Sequence, residues 1–518
     1  MIKSILIVGG GTAGWMTAAY LSATFGEKIA ITVVESSKVK KIGVGEATFS
    51  TIKHFFDYLG LDEATWLPEC SGSYKLGIKY ENWRGDGGHF YHPFERLESS
   101  QAFSLADWWL AGVYKEEQFD KACFMAHTLC EAKRSPRMSN DTLFTSGPDI
   151  SLGRSTLDEQ QSQFPYAYHF DADKVAEFLS RYAIQRGVRH IVDDVICANR
   201  SASDGWISEV VLKSNDALRA DMYIDCTGFR GLLINGALGE PFESFSEFLP
   251  NNRAVALRTS REDLKNLSPF TTATAADAGW MWTIPLFERN GHGYVYSDSY
   301  CSPHDAEKSP RDAFAKNHDE IDVSHIEMRI GRNRNSWVGN CIAIGLSSAF
   351  VEPLESTGIF FIQHAIEQLV KHFPDTDWSE PTRTAYNKRI ANAIDGVKEF
   401  LILHYVASPR MDNQYWIDTK VRKIPDGLAA RLELARYQLL DDETMFPYYH
   451  GFESYSWNTI LLGLGAGPIK SRPVLNHLEK HKAAEKFDAL RSNALRLSLS
   501  LPSCYEYLAN LQFGNRAP

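Results

Sequence analysis

The hydrophobic pattern at the N-terminus predicts a strand, a helix and a second strand in close succession. Residues 4–8 (SILIV) form a short apolar run, and a glycine-rich turn separates this run from the helical segment WMTAAYLSATF. The segment IAITVVE then returns as an apolar strand that ends at Glu35. This order is typical of a βαβ unit.

The middle of the chain alternates between strand-like and helical patterns. A helix is predicted at ADKVAEFLSRYAIQRG, and IFFIQHAIEQLVKHF predicts another after the buried strand CIAIG. Strands are predicted at HIVDDVICANR, GWISEVVLKS, LRADMYIDCTG, NRAVALRT, GWMWTIPL and GYVYSDS. From about residue 385 the pattern is mostly helical and rich in aromatic residues. We therefore predict an α/β fold with a mixed sheet and a second, mostly helical module.

Composition narrows the class of protein. The chain has 518 residues and a net charge of −11, without a basic stripe, which argues against nucleic-acid binding. No apolar run is long enough to cross a bilayer, and no signal peptide precedes the first strand, so we expect a cytoplasmic protein without a membrane partner. The eight cysteines are scattered without a CxxC pair, so we expect reduced thiols and no metal site.

The turn after the first strand carries a dinucleotide-binding pattern. Gly9, Gly11 and Gly14 give G-x-G-x-x-G between strand and helix, and Glu35 ends the second strand. The glycines permit a tight turn, the approach of a pyrophosphate and close helix–strand packing, and the acid binds a ribose hydroxyl. An ordinary loop is the alternative, but the strand, the helix and the acid all favour nucleotide binding.

The nucleotide is predicted to be FAD rather than NAD. DMYIDCTGFRG and NCIAIGLSS behave like the remaining parts of a flavin-binding fold, whereas a second glycine pattern for a tightly held nicotinamide is not convincing. The one rival, GLGAGP at residues 463–468, follows helical sequence and is interpreted as a loop.

Four motifs together resemble those of the flavin-dependent tryptophan halogenases. They are GGGTAGW from Gly9, GVGEAT from Gly43, GWMWTIP from Gly279 and FVEPLESTG from Phe350, and the resemblance covers essentially the whole chain. GVGEATFSTIKHFFDYLGLDE, GRSTLDEQQSQFPYAYHFDAD and FPYYHGFESYSW make the tryptophan 5-halogenase subgroup the nearest resemblance.

The resemblance implies an architecture and a reaction. Residues 1–105 and 155–385 would form an FAD-binding module of the GR2 type, similar to flavin monooxygenases, and residues 106–154 and 386–518 a mostly helical substrate module. A separate flavin reductase would supply FADH2, and chloride or bromide would be oxidised to a hypohalous acid. That acid would halogenate the indole of free L-tryptophan at C5, with C6 as the alternative. The resemblance also suggests a homodimer.

The resemblance assigns catalytic residues as well. Lys75 would hold the hypohalous acid or form a chloramine, and Lys79 is the competing lysine. Glu355 would stabilise the cationic indole intermediate, help to orient the oxidant or accept the proton that the ring loses. Glu352, which precedes a proline, would shape the loop. A lysine in mixed sequence is more often a solvated side chain, so the assignment of Lys75 depends on the resemblance.

Binding residues follow from the same motifs. Thr357 and Gly358 would bind the halide at a helix N-terminus, where a plain Ser or Thr cap is the alternative. The residues expected to bind FAD are Gly9, Gly11, Thr12, Ala13, Gly14, Glu35, Gly45, Glu46, Ala47, Gly345 and Ser356. Those expected to bind tryptophan are Phe49, Ser50, His92, Pro93, Phe94, Gln160, Gln163, Phe452, Tyr455 and Trp457, and an ordinary core role is the alternative for the aromatic ones.

Two other functions compete with halogenation. An aromatic hydroxylase on the same scaffold would need no Lys75 and would need open access to the flavin. Trp280 and Trp282 are interpreted as structural or as a block to that access, although alternate positions of a half-buried strand explain them equally. A non-catalytic FAD-binding protein would tolerate loss of both Lys75 and Glu355.

Overall fold

The computed structural model describes residues 2–38, 45–138, 164–214, 217–314, 321–375, 377–445 and 452–514. The chain divides into two units. The first unit comprises Met1–Ser71, Phe170–Ala254 and Ile326–Lys398, and the second comprises Gly72–His169, Val255–His325 and Glu399–Pro518.

A six-stranded mixed sheet organises the first unit. Its strands lie in the order Arg189–Val192, Ala30–Glu35, Ser4–Val8, Met222–Asp225, Cys341–Ala343 and Trp337–Val338. The first five are parallel neighbours, and the last is an antiparallel edge strand. Ile5 to Val8 are all buried, as expected for a parallel sheet that is covered on both faces.

The first unit contains further helices and short strands in addition to this sheet. Its α-helices are Thr12–Phe25, Ile52–Tyr58, Glu63–Glu69, Ala172–Gln185, Gly358–Lys371 and the start of Glu380–Ala407. Its shorter helices are Gly26–Lys28, Gly228–Arg230, Leu232–Ala237, Gly345–Ser347 and Pro353–Glu355. Its other strands are Glu46–Ala47, Val195–Arg200, Ile207–Leu212, Phe242–Ser244, Gly331–Asn333 and Ala349–Phe350.

A seven-stranded, mainly antiparallel sheet organises the second unit. The strand order is Val323–Glu327, Arg253–Ser260, Arg289–Tyr296, Gly279–Pro285, Phe270–Ala276, Gly77–Glu81 and His89–Pro93. Phe270–Ala276 and Gly77–Glu81 are a parallel pair within it. Ser73–Lys75 pairs antiparallel with Ala167–Phe170, and Ser99–Ser100 pairs with Phe103–Ser104.

Helices make up most of the rest of the second unit. They are Leu105–Leu110, Phe119–Cys123, Met125–Glu131, Pro303–Phe314, the end of Glu380–Ala407, Gln414–Val421, Asp426–Ala435, Asp442–Met445, Ser454–Leu464, Pro473–His477, Lys480–Ser500 and Cys504–Phe513. Among the described residues, no helix combines the length and the apolar character needed to cross a membrane. All eight cysteines are free thiols.

The predicted α/β fold with a mixed sheet is confirmed, and most predicted elements form where the pattern placed them. HIVDDVICANR is an exception, because it forms two strands, Arg189–Val192 and Val195–Arg200. The strands Ser73–Lys75, Gly77–Glu81 and His89–Pro93 were not predicted. They are short. Ser73–Lys75 pairs with Ala167–Phe170 and Gly77–Glu81 pairs with Phe270–Ala276, both distant in sequence, and His89–Pro93 extends this sheet by pairing with its neighbour Gly77–Glu81, so local periodicity gives little signal for them. The predicted division by function, with its boundaries near residues 105, 154 and 385, stays a prediction.

Candidate active site

The glycine-rich turn has the geometry that its pattern predicts. Gly9 has a φ of +116°, which favours glycine, and a Cβ there would lie 2.2 Å from the carbonyl oxygen of Cys226. A Cβ on Gly14 would lie 1.8 Å from the carbonyl oxygen of Gly9, so helix and turn pack closely. A Cβ on Gly11, by contrast, would meet nothing within 4 Å. The turn is therefore tight at its two ends and open in the middle.

This open space fits the diphosphate of a dinucleotide. It lies at the start of the helix Thr12–Phe25, whose Ncap residue Gly11 has no capping side chain. A helix N-terminus presents N–H groups and a partial positive charge to an anion. A Cβ on Gly345 would lie 2.8 Å from the Cβ of Ala13, so two of the predicted FAD-binding residues pack together.

Glu35 ends the second strand as predicted, and it is already hydrogen-bonded. Its Oε1 lies 2.9 Å from Nε2 of His190, on the neighbouring parallel strand. A Cβ on Gly10 would lie 1.7 Å from its Oε2, so the carboxylate lies directly against the glycine turn. The sequence analysis missed His190. His190 reaches Glu35 because the strand Arg189–Val192 pairs with Ala30–Glu35, and a single sequence does not reveal which strands pair.

The segment Gly45–Ala47 places a second carboxyl in the first unit. Burial raises the pKa of Glu46 to about 7, and Asp173 and then Asp171 add to this rise. Asp171 caps the helix Ala172–Gln185, and the hydroxyl of Thr12 donates a hydrogen bond of 3.4 Å to the carbonyl oxygen of Ala172. Glu46 is thus a carboxyl that is partly protonated at neutral pH.

The segment that carries Glu355 turns sharply before a helix. Pro353–Glu355 is a single 3₁₀ turn, and Ser356 follows with φ 60° and ψ 37°, in the left-handed region. A serine in this region is uncommon, and such conformations concentrate at functional sites. The Glu355 side chain is buried. Glu352 is buried too, and its Oε2 accepts a hydrogen bond of 2.8 Å from Asn251, as suits a residue that shapes the loop.

The alternative to the predicted halide site, a side-chain cap on the next helix, does not form. Thr357 occupies the Ncap position of Gly358–Lys371, but no side-chain hydrogen bond caps the helix. Among the described residues, the buried hydroxyl oxygen of Thr357 has no hydrogen-bond partner. A Cβ on Gly358 would meet nothing within 4 Å. An orphaned hydroxyl, open space and a helix N-terminus together fit a bound anion.

Lys75 is buried in the second unit. It ends the strand Ser73–Lys75, its exposed fraction is 0%, and its Nζ lies 5.2 Å from the centre of the Phe94 ring. On the paired strand, the two ring nitrogens of His169 form hydrogen bonds with the hydroxyl of Ser73 at 3.1 Å and with the hydroxyl of Thr271 at 2.9 Å. Burial lowers the pKa of His169 well below its usual value, and the charge of Lys75 lowers it further. The imidazole is therefore neutral beside the lysine.

Lys79 has a different environment. Its Nζ lies 2.9 Å from Oε1 of Glu81, and 18% of its side-chain surface is exposed to solvent. It therefore already has a carboxylate partner close to the surface. The contrast supports Lys75 as the functional lysine of the two.

The two tryptophans of the GWMWTIP motif are buried on one strand. Trp280 and Trp282 lie 6.2 Å apart between ring centres on Gly279–Pro285, as alternate positions of a strand should. Trp282 packs over Gly293, where a Cβ would lie 2.0 Å from the ring. The hydroxyl of Ser73 donates a hydrogen bond to the carbonyl oxygen of Pro285, so the end of this strand is joined to the strand of Lys75.

Most of the predicted indole-binding residues of the second unit lie together. His92 lies on the strand His89–Pro93, and its ring is 6.3 Å from Phe452 and 6.5 Å from Tyr455. The hydroxyl of Tyr455 donates a hydrogen bond of 3.3 Å to the carbonyl oxygen of Phe94. The buried indole N–H of Trp457 has no partner among the described residues. Pro93 ends the strand beside them.

Two residues that the sequence analysis missed complete this cluster. Phe400 stacks on Phe452 at 4.1 Å and contacts Trp457 at 5.3 Å between ring centres. His404, one helical turn later, hydrogen-bonds to the hydroxyl of Tyr80 at 3.1 Å. Their spacing of four residues in the helix Glu380–Ala407 was the available signal. Because Phe400 covers one face of Phe452, that face is closed to a ligand.

Of the other predicted substrate residues, Phe49 and Ser50 belong to the first unit. Phe49 contacts Phe360, at 5.6 Å, on the helix Gly358–Lys371. Ser50 lies in the turn before Ile52–Tyr58. Gln160 and Gln163 lie outside the described residues. GLGAGP begins as the end of the helix Ser454–Leu464 and is not a second nucleotide turn.

Comparison with known proteins adds to this geometry. The family model described as tryptophan halogenase matches residues 4–480. The 7-chloro-L-tryptophan 6-halogenase KtzR of Kutzneria sp. (strain 744) is 52% identical over 98% of this chain and 99% of its own. The tryptophan 6-halogenase SttH of Streptomyces toxytricini is 50% identical over 98% and 97%, and its crystal structure superposes with a TM-score of 0.93 over 98% of this chain and 99% of its own.

A further solved structure agrees. Tar14, described as a tryptophan C-6 flavin-dependent halogenase (chlorinase) from taromycin biosynthesis, has a TM-score of 0.93 and 50% identity, over 98% of this chain and 100% of its own. The expected membership of the 5-halogenase subgroup is therefore wrong, because these relatives are all named as 6-halogenases.

Proposed function

The chain belongs to the tryptophan halogenase family, and from this premise we propose that it halogenates free L-tryptophan at C6 of the indole ring. The family is flavin-dependent, and the enzyme uses FADH2 and a halide. The names of the relatives at 50–52% identity support position 6. The observation that carries the proposal is the full burial of Lys75 beside the Phe94 ring, whereas Lys79 is partly exposed and paired with the carboxylate of Glu81.

The first unit provides the residues for oxidant formation. The glycine turn and Glu35 would hold the dinucleotide, and Gly45, Ala47 and Gly345 would contact it along its length. Reduced FAD, when bound, supplies the two electrons with which O2 is activated to oxidise the halide. Thr357 and Gly358 would bind the halide through the N–H groups of the helix and the unpartnered hydroxyl. Ser356, in its left-handed conformation, would present these groups to the flavin.

Lys75 and Glu355 would act on the hypohalous acid and on the ring. A buried ammonium can donate a hydrogen bond to the acid; the indole carbon then attacks the halogen, the halogen–oxygen bond breaks, and the leaving hydroxide takes a proton from the ammonium to form water. Alternatively, the deprotonated amine takes up the halogen with release of water, and the nitrogen–halogen bond breaks when the indole carbon attacks, so that the amine is restored by one proton. Glu355 would stabilise the cationic ring and accept the proton that the carbon loses. His92, Phe94, Tyr455 and Trp457 would hold the indole.

The test is a complete reaction with defined products. The protein is incubated with FAD, a flavin reductase, NADH, O2, chloride or bromide, and L-tryptophan. Mass spectrometry should detect the halogen isotope pattern, and NMR of the product should show substitution at C6. A product halogenated at another carbon would refute the position, and a product that gains oxygen without halogen would refute the reaction. 7-Chlorotryptophan as a second substrate tests whether the ring must already carry a halogen.

A further inference from the structure

A cluster of metal-ligating side chains lies in the second unit and is not part of the site described above. His127 and Glu131 are four residues apart on the helix Met125–Glu131. Residues with this spacing share one face of a helix, so both side chains project from the same side. Glu131 is half-exposed, with 47% of its side-chain surface open to solvent, whereas His127 keeps only 12%.

A strand provides the third side chain. His89 begins the strand His89–Pro93, and its Nε2 lies 3.1 Å from Oε1 of Glu131. Tyr91 lies on the same face of the strand, and its hydroxyl donates a hydrogen bond of 2.8 Å to that same oxygen. The carboxylate of Glu131 is therefore oriented toward the two imidazoles by a neighbour on the strand.

The three ligand atoms are close enough for one ion. One nitrogen from each histidine and one oxygen of Glu131 all lie within 4.8 Å of one another. Zinc binds imidazole nitrogen and carboxylate oxygen at about 2.0–2.2 Å, so the 3.1 Å between His89 and Glu131 already suits two ligands of one ion. Rotation of the half-exposed Glu131 side chain can close the remaining distance to His127.

The chemistry of the ligands selects the cation. Two imidazoles and one carboxylate suit zinc, copper, nickel or cobalt, whereas calcium and magnesium prefer oxygen ligands alone. The carboxylate of Asp120 lies 3.8 Å from Nε2 of His127, where it can orient that ring from outside the site.

We propose that His89, His127 and Glu131 form a binding site for one divalent transition-metal ion of the zinc type. Water would complete the coordination on the exposed side. Among the described residues no other group of three His, Cys, Asp or Glu side chains has this arrangement. The ion would join the strand His89–Pro93 to the helix Met125–Glu131, and that strand carries His92 three residues after His89.

Calorimetric titration tests this site directly. The full-length protein, without an affinity tag and dialysed against a chelator, is titrated with ZnCl2 in the presence of saturating FAD. One zinc ion should bind per chain and should raise the thermal midpoint. His89→Ala and Glu131→Gln should each weaken binding at least about tenfold, because each removes one of three ligands. Both side chains are partly exposed, so these variants should fold like the wild type.

A matched control is available in the same unit. Nε2 of His325 lies 2.9 Å from Oε2 of Glu307, which reproduces the His–Glu pair without a second imidazole in the cluster. His325→Ala should leave zinc binding unchanged. The proposal is overturned if the wild type binds zinc no more tightly than about 1 mM, or if His89→Ala and Glu131→Gln bind as the wild type does. Loss of binding in His325→Ala alone would move the site elsewhere and would overturn it equally.

Discussion

The Nζ of Lys75 lies 5.2 Å from the centre of the Phe94 ring, and the lysine side chain is fully buried. A cation above an aromatic face is stabilised by the quadrupole of the ring, by more when water is excluded. This contact holds the lysine amine at a defined place in a dry environment. The first prediction follows from it.

Lys75→Ala should lower kcat for halogenation by about 10²–10⁴-fold, because it removes a group proposed to act on the oxidant itself. Lys79→Ala is the matched control. It breaks the partly exposed ion pair with Glu81, worth up to about 1 kcal/mol, and the contact with the Phe270 ring at 5.9 Å, neither of which is proposed to act on the oxidant, so its kcat should stay near that of the wild type. Steady-state product formation with saturating FADH2 measures both. The opposite ranking of the two variants would refute the assignment of Lys75.

The glycine turn yields a prediction that separates binding from folding. Gly11 has φ −79° and ψ −171°, which alanine adopts without strain, and an added Cβ would meet no other part of the described chain within 4 Å. Gly11→Ala should therefore fold with an unchanged thermal midpoint, yet bind FAD at least about tenfold more weakly, because the methyl group occupies the space for the diphosphate. Fluorescence titration with FAD measures the affinity.

Gly14→Ala is the contrasting variant. Its Cβ would lie 1.8 Å from the carbonyl oxygen of Gly9, so the turn or the helix must move. We expect a lower thermal midpoint even before FAD is added. Equal FAD affinity for Gly11→Ala and the wild type would show that the diphosphate does not approach Gly11.

Thr357→Val tests the halide site without changing side-chain volume. The buried hydroxyl has no partner among the described residues, so its removal should leave folding stability unchanged or raise it by up to about 1 kcal/mol. A hydrogen bond to a charged group contributes about 1.5–3 kcal/mol, so the KM for chloride should rise roughly ten- to hundredfold. An unchanged chloride KM would leave the hydroxyl without a role in halide binding.

The pH dependence of folding should reveal Glu46. In the folded chain burial raises its pKa from 4.5 to about 7, so folding favours the protonated form. Its contribution to stability is complete below pH 4.5 and is lost as the pH rises through about 7. Glu46→Gln should therefore gain up to about 3 kcal/mol on the wild type across this window.

Thermal midpoints of FAD-free protein at several pH values measure this difference between Glu46→Gln and the wild type. The two proteins should be similar at low pH and should diverge toward neutrality. A difference that does not change with pH would contradict a raised pKa for Glu46.

Local patterns predicted the glycine turn and the βαβ unit because strand, turn and helix there are neighbours in sequence. The contacts that complete the sites are different. His190 meets Glu35 only because two parallel strands pair, and Phe400 meets Phe452 only because a long helix passes a distant segment. Such pairings depend on tertiary packing, which periodicity in one sequence does not encode. The environments that distinguish Lys75 from Lys79 also depend on tertiary packing.

The motifs favoured C5, whereas the names of the relatives favour C6, and this difference has a related cause. Ring orientation depends on shifts of side chains in a pocket, and a change of about 1 Å is enough to alter which carbon is reached. The motifs that carry the family resemblance are a glycine turn, a strand with two tryptophans and the start of a helix. These features do not report the orientation of the indole ring.

The contact between Gly10 and Glu35 makes these two positions epistatic. A side chain at position 10 would have its Cβ 1.7 Å from Oε2 of Glu35, although the other oxygen of that carboxylate is held by His190. The Cβ of Glu35 would lie 2.4 Å from the same added Cβ, so a shorter acid at position 35 does not by itself make room at position 10. Any side chain at position 35 therefore requires glycine at position 10 or a shift of the turn, and the two positions can change only together.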